Sequence, residues 1–320
     1  EMIKSGTTGF ADMYFFVEDI ARAVEDSGIR AVLARGMVGV APNGELALAE
    51  AKDLICKLNN TADGRITMML GPHAPYTCPP EYLKQVIQLA NELNVPLHIH
   101  LSETAGEVEE SLKTYGVTPI QRVKDEGLFE HKVLAAHCVH ASREDIELLA
   151  QYGVAVAHNP CSNLKLASGI APVTDMLKQG VTVALGTDGP ASNNNLDMFE
   201  EMKFAALIHK VRDNDATALS AKKALIMATR AGAQALRLGD KVGTLAAGKL
   251  ADIILLDLDK AHLHPKHDLK SHIVYSANSS DVDTVIVNGE ILMQNRVLTK
   301  LDESEIYAKS AECAKKLIRA

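Results

Sequence analysis

Short apolar runs alternate along the chain with longer segments whose apolar residues recur at helical spacing. In segment 81–94, for example, Tyr82, Val86, Leu89 and Leu93 fall on one face of a helix. The apolar runs cover 7–15, 29–36, 65–73, 96–103, 132–140, 153–160 and 182–189. Near-continuous apolar strands that alternate with amphipathic helices predict a parallel sheet covered by helices.

Two parallel architectures compete for this pattern. A doubly wound open sheet usually carries a glycine-rich phosphate turn, and the sequence contains neither G-x-G-x-x-G nor a P-loop motif. A TIM-type (β/α)8 barrel builds its site at the carboxyl ends of its strands. Each apolar run ends in chemically capable residues: Asp12, Arg35, His73, His100 with Glu103, His137, His158 with Asn159, and Asp188. We therefore expect α/β architecture, with strands two to eight of a TIM-type barrel whose first strand lies outside this chain.

The pattern changes after residue 240. Segments 242–259 and 282–298 are β-rich, and Asn288-Gly289 is typical of a tight hairpin. We expect a hydrolase barrel over 1–240, the C-terminal part of a small β-sandwich over 241–300, and a charged terminal helix over 301–320. Residues 1–6 resemble the end of a helix with a glycine stop, so the chain is expected to begin inside a domain.

Composition narrows the possible partners. The 320 residues are 47% hydrophobic and 23% charged with a net charge of −8, which disfavours nucleic-acid and anionic-membrane partners. No apolar run approaches the length of a membrane span. The five cysteines are scattered without a C-x-x-C pair, which indicates reduced thiols in a cytoplasmic protein. We expect a small-molecule partner, with a homo-oligomer left open.

The stretch PLHIHLSE, residues 96–103, carries the densest candidate chemistry. His98 and His100 should share one face of a strand, so either both or only one of them binds a metal. A neutral imidazole is a good zinc ligand, and Glu103 beyond it suits general acid and base work. The alternative is a strand histidine bonded to the backbone beside a solvated glutamate.

Two further strand ends carry candidate catalytic groups. His137 in AAHCVH suits a ligand or a base, although a lone histidine at a strand end more often has a structural role. Asp188 in ALGTDGPASNN stands between Gly-Thr and Gly-Pro, which fix its backbone, and it suits metal binding and deprotonation of water. His158, Asn159 and Asn163 are site-lining candidates without a defined role.

Other polar residues suit ligand contact or surface positions. His73 lies in a loop stiffened by two prolines and suits substrate contact, while Arg35 suits either a ligand anion or a salt bridge at the rim. The histidines His262, His264 and His267 resemble a metal-binding tail. They fall in polar sequence outside the barrel, so we interpret them as surface residues.

Together, these segments resemble the amidohydrolase superfamily, in particular the 5′-methylthioadenosine/S-adenosylhomocysteine deaminase family. The resemblance runs in order from residue 6 to about residue 260. The matching stretches are GTTGFADMYF, LARGMVG, GPHAPYTCPPEYL, IHLSET, AAHCVH, HNPCSNLKLASGIAPV, GTDGPASNN and GTLAAGKLADIILLDLD.

The resemblance implies roles for four of these residues. His100 is similar to the metal ligand of strand five, and Asp188 to the strand-eight ligand that also accepts a proton from the attacking water and contacts substrate. Glu103 is similar to the substrate-contacting group that moves a proton to the purine ring nitrogen. His137 is similar to the histidine that steadies the water or the developing intermediate. One divalent metal is implied, with zinc expected and iron as the alternative.

The resemblance also implies the reaction. An adenosine-type nucleoside would be deaminated hydrolytically to an inosine derivative and ammonia, with Arg35 and His73 binding the substrate. The alternatives are a related hydrolase that acts on guanine, cytosine or a chlorotriazine, and a non-catalytic nucleoside-binding subunit.

The sequence departs from the family pattern in specific places. The first-strand His-x-His, the acidic residue after it and the N-terminal half of the small β-module are absent, and we expect about a hundred residues upstream. The loop after Arg35 has no second arginine, which weakens the expectation of a carboxylate-bearing substrate. His98 lies one strand repeat, about 6.6 Å, deeper than His100, so we expect it beneath the metal site.

Overall fold

The computed structural model describes residues 1–319, and the last residue of the expected terminal helix, Ala320, lies outside them. Seven parallel strands form one sheet in sequential order. They are β1 Gly9–Tyr14, β2 Arg30–Met37, β3 Ile66–Pro72, β4 Leu97–Leu101, β5 Val133–His137, β6 Ala155–His158 and β7 Thr182–Leu185. The predicted seven-stranded parallel sheet is confirmed, and its sequential order differs from the reversed order of a doubly wound sheet.

Helices follow the strands along the chain, and several of them bury apolar residues in the large core on the outer face of the sheet. They are α1 Val17–Ser27, α2 Gly44–Leu58, α3 Thr61–Gly64, α4 Pro80–Leu93, α5 Ala105–Tyr115, α6 Pro119–Asp125, α7 Arg143–Gln151, α8 Pro160–Lys165, α9 Val173–Lys178, α10 Pro190–Asn193, α11 Met198–Arg212, α12 Ala221–Ile226, α13 Gly232–Ala235, α14 Leu269–Ser271 and α15 Glu303–Arg319. The helix predicted over 81–94 is present as α4. None of the helices in 1–319 has both the length and the apolar character needed to cross a bilayer.

Strand alternation separates two apolar layers. On β2, Leu33 belongs to the large core beneath the helices, whereas Val32 and Ala34 belong to a smaller cluster on the inner face. Leu236, which follows α13, packs against that cluster and also against a second inner cluster from β5 to β7. Because one side chain contacts both flanks of the sheet, the sheet is curved around its inner face, as in a TIM-type barrel.

A small antiparallel sheet follows the parallel one, with β8 Ile253–Leu256, β9 Val282–Val287, β10 Glu290–Gln294 and β11 Val297–Leu298 in the order β11-β10-β9-β8. The predicted hairpin joins β9 to β10 through Asn288 and Gly289, both at positive φ. The structure thus shows one small sheet over 253–298 in the region where part of a β-sandwich is expected. The domain boundaries at 240 and 300 stay predictions.

A buried ion pair joins the two sheets. The Nε and Nη2 groups of Arg30 on β2 donate to the two carboxylate oxygens of Asp252 at 2.8 and 2.9 Å. Both side chains are at most 3% exposed. Asp252 also accepts the backbone N–H of Asn288 at 2.8 Å, so one carboxylate fixes the hairpin and the barrel strand together.

Replacement of Asp252 by Asn is expected to lower the free energy of unfolding by roughly 3 kcal/mol, because the Arg30 guanidinium keeps its charge in a buried place. The double variant Arg30→Met with Asp252→Asn should lose less, since no uncompensated charge remains. Urea unfolding of Asp252→Asn, Arg30→Met and the double variant measures the difference. A double variant that loses the sum of the two single effects would contradict this account.

Candidate active site

The inner face of β4 presents two histidines to the same side. The rings of His98 and His100 stack 6.0 Å apart at 22°, whereas Leu97 and Ile99 point into the outer core. The predicted shared face is therefore present. His98 lies deeper and is 9% exposed, while His100 is half-buried at the carboxyl end of the strand.

The contacts of His100 leave one ring nitrogen free. Its Nδ1 donates to the backbone carbonyl of His73 at 2.8 Å, so the Nε2 lone pair is available to a ligand. Burial, and then the neighbouring His137, lower the pKa of His100 to about 4. A neutral imidazole with a free lone pair is the form that binds zinc and similar metals.

A left-handed backbone brings His137 to the inner face. Alternation along β5 sends Val133 and Ala135 into the outer core and would send His137 the same way. The φ angles of His137 and Cys138 are 71° and 48°, and the His137 ring stacks 5.4 Å from that of His100. Strained φ values at non-glycine residues cost free energy and cluster at functional sites.

The His137 ring is held by an amide and faces a carboxylate. Its Nδ1 donates to Asn163 Oδ1 at 2.9 Å, which leaves the Nε2 lone pair directed into the site. Nε2 lies 3.7 Å from Glu103 Oε2. The structure thus brings Glu103, His100 and His137 near one another. Asn163, which had no defined role in the sequence, orients the His137 ring.

Glu103 is supported by a carboxylate that the sequence analysis missed. The Glu107 side chain accepts the backbone N–H groups of Ser102 at 3.0 Å and Glu103 at 2.8 Å, and Ser102 has a φ of 49°. The signal was present as Thr104-x-x-Glu107, the capping-box pattern at the start of α5. Here the glutamate reaches back to the loop that carries Glu103, rather than to the amide of the cap residue.

Asp188 lies at the edge of the same group. Its Oδ2 accepts from Ser162 Oγ at 2.6 Å and its Oδ1 from the N–H of Gly189 at 2.7 Å. Its φ is 59°, and its charge acts to raise the pKa of His100, although burial outweighs that effect. Ser162 had no signal in the sequence, because a serine in a six-residue helix has many structural roles.

The expected substrate-binding residues lie on neighbouring loops. The His73 ring lies 5.0 Å from that of His100, and its Nδ1 shares a 2.9 Å hydrogen bond with Thr77 Oγ1. Arg35 is directed toward the outer helices, where its Nε donates to Glu50 on α2 at 2.9 Å. The Phe15 ring centroid lies 5.1 Å from its guanidinium carbon. The salt bridge that was one interpretation of Arg35 is therefore present. Binding of a ligand by Arg35 stays a prediction.

Several other polar residues do not join the group. His158 is completely buried and packs against His209 of α11 with a ring separation of 5.1 Å, so it faces the helical layer. The exposed His262 and His264 bond to Asp281 and Asp259 next to the small sheet.

Two side chains of the site are of the types that bind a divalent metal. His100 offers a neutral nitrogen and Asp188 a carboxylate, whereas catalytic zinc normally has three protein ligands. Within 1–319, no group of three or more His, Cys, Asp or Glu side chains is arranged to hold a metal. His100 and Asp188 alone fall short of the three protein ligands of a catalytic zinc.

The curved parallel sheet, with its polar groups gathered at the carboxyl ends of the strands, places the chain in a class of barrel hydrolases. The family model of the amidohydrolase family matches residues 1–292, and the chain belongs to that family.

Individual relatives are consistent with that membership. A 5-methylthioadenosine/S-adenosylhomocysteine deaminase of Syntrophomonas wolfei is 55% identical over 319 residues, which cover 99% of this chain and 74% of the relative. A zinc-bound adenosine deaminase of Xanthomonas campestris is 35% identical with a TM-score of 0.96, over 100% of this chain and 73% of that one. A zinc complex of an atrazine chlorohydrolase of Arthrobacter aurescens is 29% identical with a TM-score of 0.90, over 97% of this chain and 73% of that one.

Asp12 on β1 generates a prediction about pH. Its Oδ2 is buried without a hydrogen-bond partner, and burial raises its pKa to about 6. The folded state therefore binds this proton more tightly than the unfolded state, so the stability contributed by Asp12 is full below about pH 4 and is lost as the pH rises through 6. Asp12→Asn should raise the free energy of unfolding at pH 7 by about 2 kcal/mol and flatten its pH dependence between 4 and 6.

Urea unfolding at a series of pH values checks this expectation. The control is Asp26→Asn, which changes an exposed aspartate on the neighbouring helix and should keep the slope of the parent protein. An Asp12→Asn variant with an unchanged slope would show that Asp12 does not titrate in this range.

Proposed function

We propose that the protein catalyses the hydrolytic deamination of adenosine-type nucleosides, such as 5′-methylthioadenosine, S-adenosylhomocysteine and adenosine, to inosine derivatives and ammonia. The observation that carries the proposal is the approach of Glu103 to His137, beside His100 and Asp188, in a chain 55% identical to a curated deaminase. The seven strands would be strands two to eight of a TIM-type barrel.

His100 and Asp188 would hold one divalent metal, with zinc expected and iron as the alternative. When bound, the metal lowers the pKa of water and so supplies hydroxide at neutral pH. Zinc is present in the related adenosine deaminase and chlorohydrolase structures. The chemistry of the donors supports the assignment, because a neutral imidazole and a carboxylate are common zinc ligands.

The chain's own residues would then move the protons. Asp188 accepts the proton of the attacking water as the oxygen adds to C6 of the purine ring. Glu103 donates a proton to the adjacent ring nitrogen, so the electron pair of the broken C=N bond has a place to go. His137 accepts a hydrogen bond from the new C6 hydroxyl at Nε2, whose lone pair the Asn163 hydrogen bond leaves free. Asp188 then gives its proton to the C6 amino group, which leaves as ammonia, while the C6 hydroxyl returns a proton to Glu103 and the C6=O bond of the inosine derivative forms.

The rim of the site favours substrates without a carboxylate. The Arg35 guanidinium is already paired with Glu50, and its face is covered by Phe15. We therefore expect a higher kcat/KM for 5′-methylthioadenosine than for S-adenosylhomocysteine. The test is an ammonia-release assay of the full-length, metal-loaded protein on both nucleosides and on adenosine. Guanine, cytosine and a chlorotriazine are assayed separately as alternative substrates, the last by release of chloride. No ammonia from any adenosine-type nucleoside, with bound metal verified, would overturn the proposed function.

Glu103→Gln is expected to lower kcat by about 10²- to 10⁴-fold with a small change in KM, because an amide N–H is too weak an acid to transfer a proton to the ring. The measurement is steady-state ammonia release by the full-length variant. Glu81→Gln, which changes an exposed glutamate in the first turn of α4, is the control and should retain the parent kcat. A Glu103→Gln variant with full kcat would remove Glu103 from the proton pathway.

A further inference from the structure

One buried carboxylate lies behind the site and has no part in the chemistry described above. Glu201 is in the first turn of α11 and is 0% exposed, although its neighbour Glu200 is only half-buried. A carboxylate is expensive to bury unless hydrogen-bond donors satisfy both of its oxygens. The partners of Glu201 therefore indicate why it is there.

The two oxygens of Glu201 bind two different loops. Oε2 accepts the backbone N–H of Cys161 at 3.2 Å, at the start of α8 after β6. Oε1 accepts the side-chain amide of Asn193 at 2.7 Å, at the end of α10 after β7. One side chain thus links the two loops that supply the far side of the site.

The α8 contact supports two catalytic candidates. Cys161 is followed by Ser162, whose hydroxyl donates to Asp188 at 2.6 Å. Asn163 comes next, and its side-chain oxygen accepts from His137 at 2.9 Å. Ser162 and Asn163 are at most 1% exposed. A shift in the start of α8 would therefore move the partners of Asp188 and His137 at the same time.

The α10 contact supports Asp188 from the opposite side. The amide of Asn193 also donates to the backbone carbonyl of Thr187 at 2.9 Å, directly before Asp188. Asp188 has a φ of 59°, in the left-handed region that is uncommon for non-glycine residues. Glu201 accepts from the same Asn193 amide, so it is linked through Thr187 to the backbone next to Asp188.

We propose that Glu201 is a positioning residue that fixes the Asp188 and His137 side chains by holding α8 and α10 together. The proposal rests on the proposed function for the identity of the reaction, but its contacts are independent of the substrate. Its effect should fall on kcat rather than on KM, because His73 and Arg35 are held by other contacts, to Thr77 and Glu50.

The main test uses Glu201→Gln in the full-length, metal-loaded protein. The variant has nearly the shape of the parent, but it presents an NH2 group to one of two donors and so loses one of the two links. Mutation of a residue that holds a metal ligand in place typically costs 10- to 100-fold in activity or metal affinity. We expect kcat to fall by about that factor with KM within about threefold, and the zinc dissociation constant, measured by chelator competition, to rise about tenfold.

A matched control separates positioning from plain stability. Asp145 is another carboxylate that is 2% exposed, and it caps α7 by accepting from Ser142 N–H and Thr118 Oγ1. Asp145→Asn should lower Tm without changing kcat or zinc affinity per folded molecule. The proposal is overturned if Glu201→Gln behaves as Asp145→Asn does, with a lower Tm but with the kcat and the zinc affinity of the parent protein.

A second variant covers the case in which Glu201→Gln does not fold. Asn193→Ala removes the α10 link together with the Asn193 hydrogen bond to Thr187 and leaves Glu201 bonded to Cys161, so it should also lower kcat and raise the zinc dissociation constant. Parent kinetics and zinc affinity in Asn193→Ala would also overturn the proposal. A parent protein that deaminates no nucleoside would end the proposed function only, because zinc affinity would still report on Glu201.

Discussion

Parallel pairing of the strands places all of their carboxyl ends along one edge, and every contact in the site depends on that alignment. The register pairs His100 with Ala136 and Leu101 with His137, so the last residues of β4 and β5 lie side by side. A slip of one residue would send His98 and His100 into the helical layer, since alternate side chains face opposite sides. The outer core residues Leu97, Ile99 and Leu101 oppose that slip by their burial.

Burial favours the neutral form of the histidines in this site. His73, His98 and His100 lie close together, and burial lowers the pKa of each of them. For His98 and His100, neighbouring histidines add to the same effect. A cluster of imidazoles that stays neutral offers lone pairs and weak donors without repulsion. The carboxyl groups of Glu103 and Asp188 then supply the acid and the base of the site, which suits transfer of protons between water and a neutral heterocycle.

The sequence predicted most of the sheet, because its strands are apolar on both faces and that pattern is strong. The order of strand-end residues also predicted that His73, His100, Glu103 and His137 would lie near one another, whereas His158 and Arg35 from the same set face the helical layer. Strand periodicity did not predict that His137 turns inward, since that depends on two left-handed residues, His137 and Cys138, without a glycine to mark them. Nor could it show that Arg35 is paired with Glu50 across the rim, because that contact joins two elements. Glu107 carried a local signal, whereas Glu201 carried none: Glu200 and Glu201 are adjacent in a helix, and only packing decides which is buried.

The loops after β6 and β7 show why a distant carboxylate matters for this architecture. The helices α8 and α10 have six and four residues, which is too short for either to be stable by its own hydrogen bonds. Their positions must therefore come from contacts with longer elements. α11, with 15 residues and a buried face, is such an element, and Glu201 extends from it to both short helices. Because the same two segments carry Ser162, Asn163 and Asp188, the order of the site depends on the longer helix behind it.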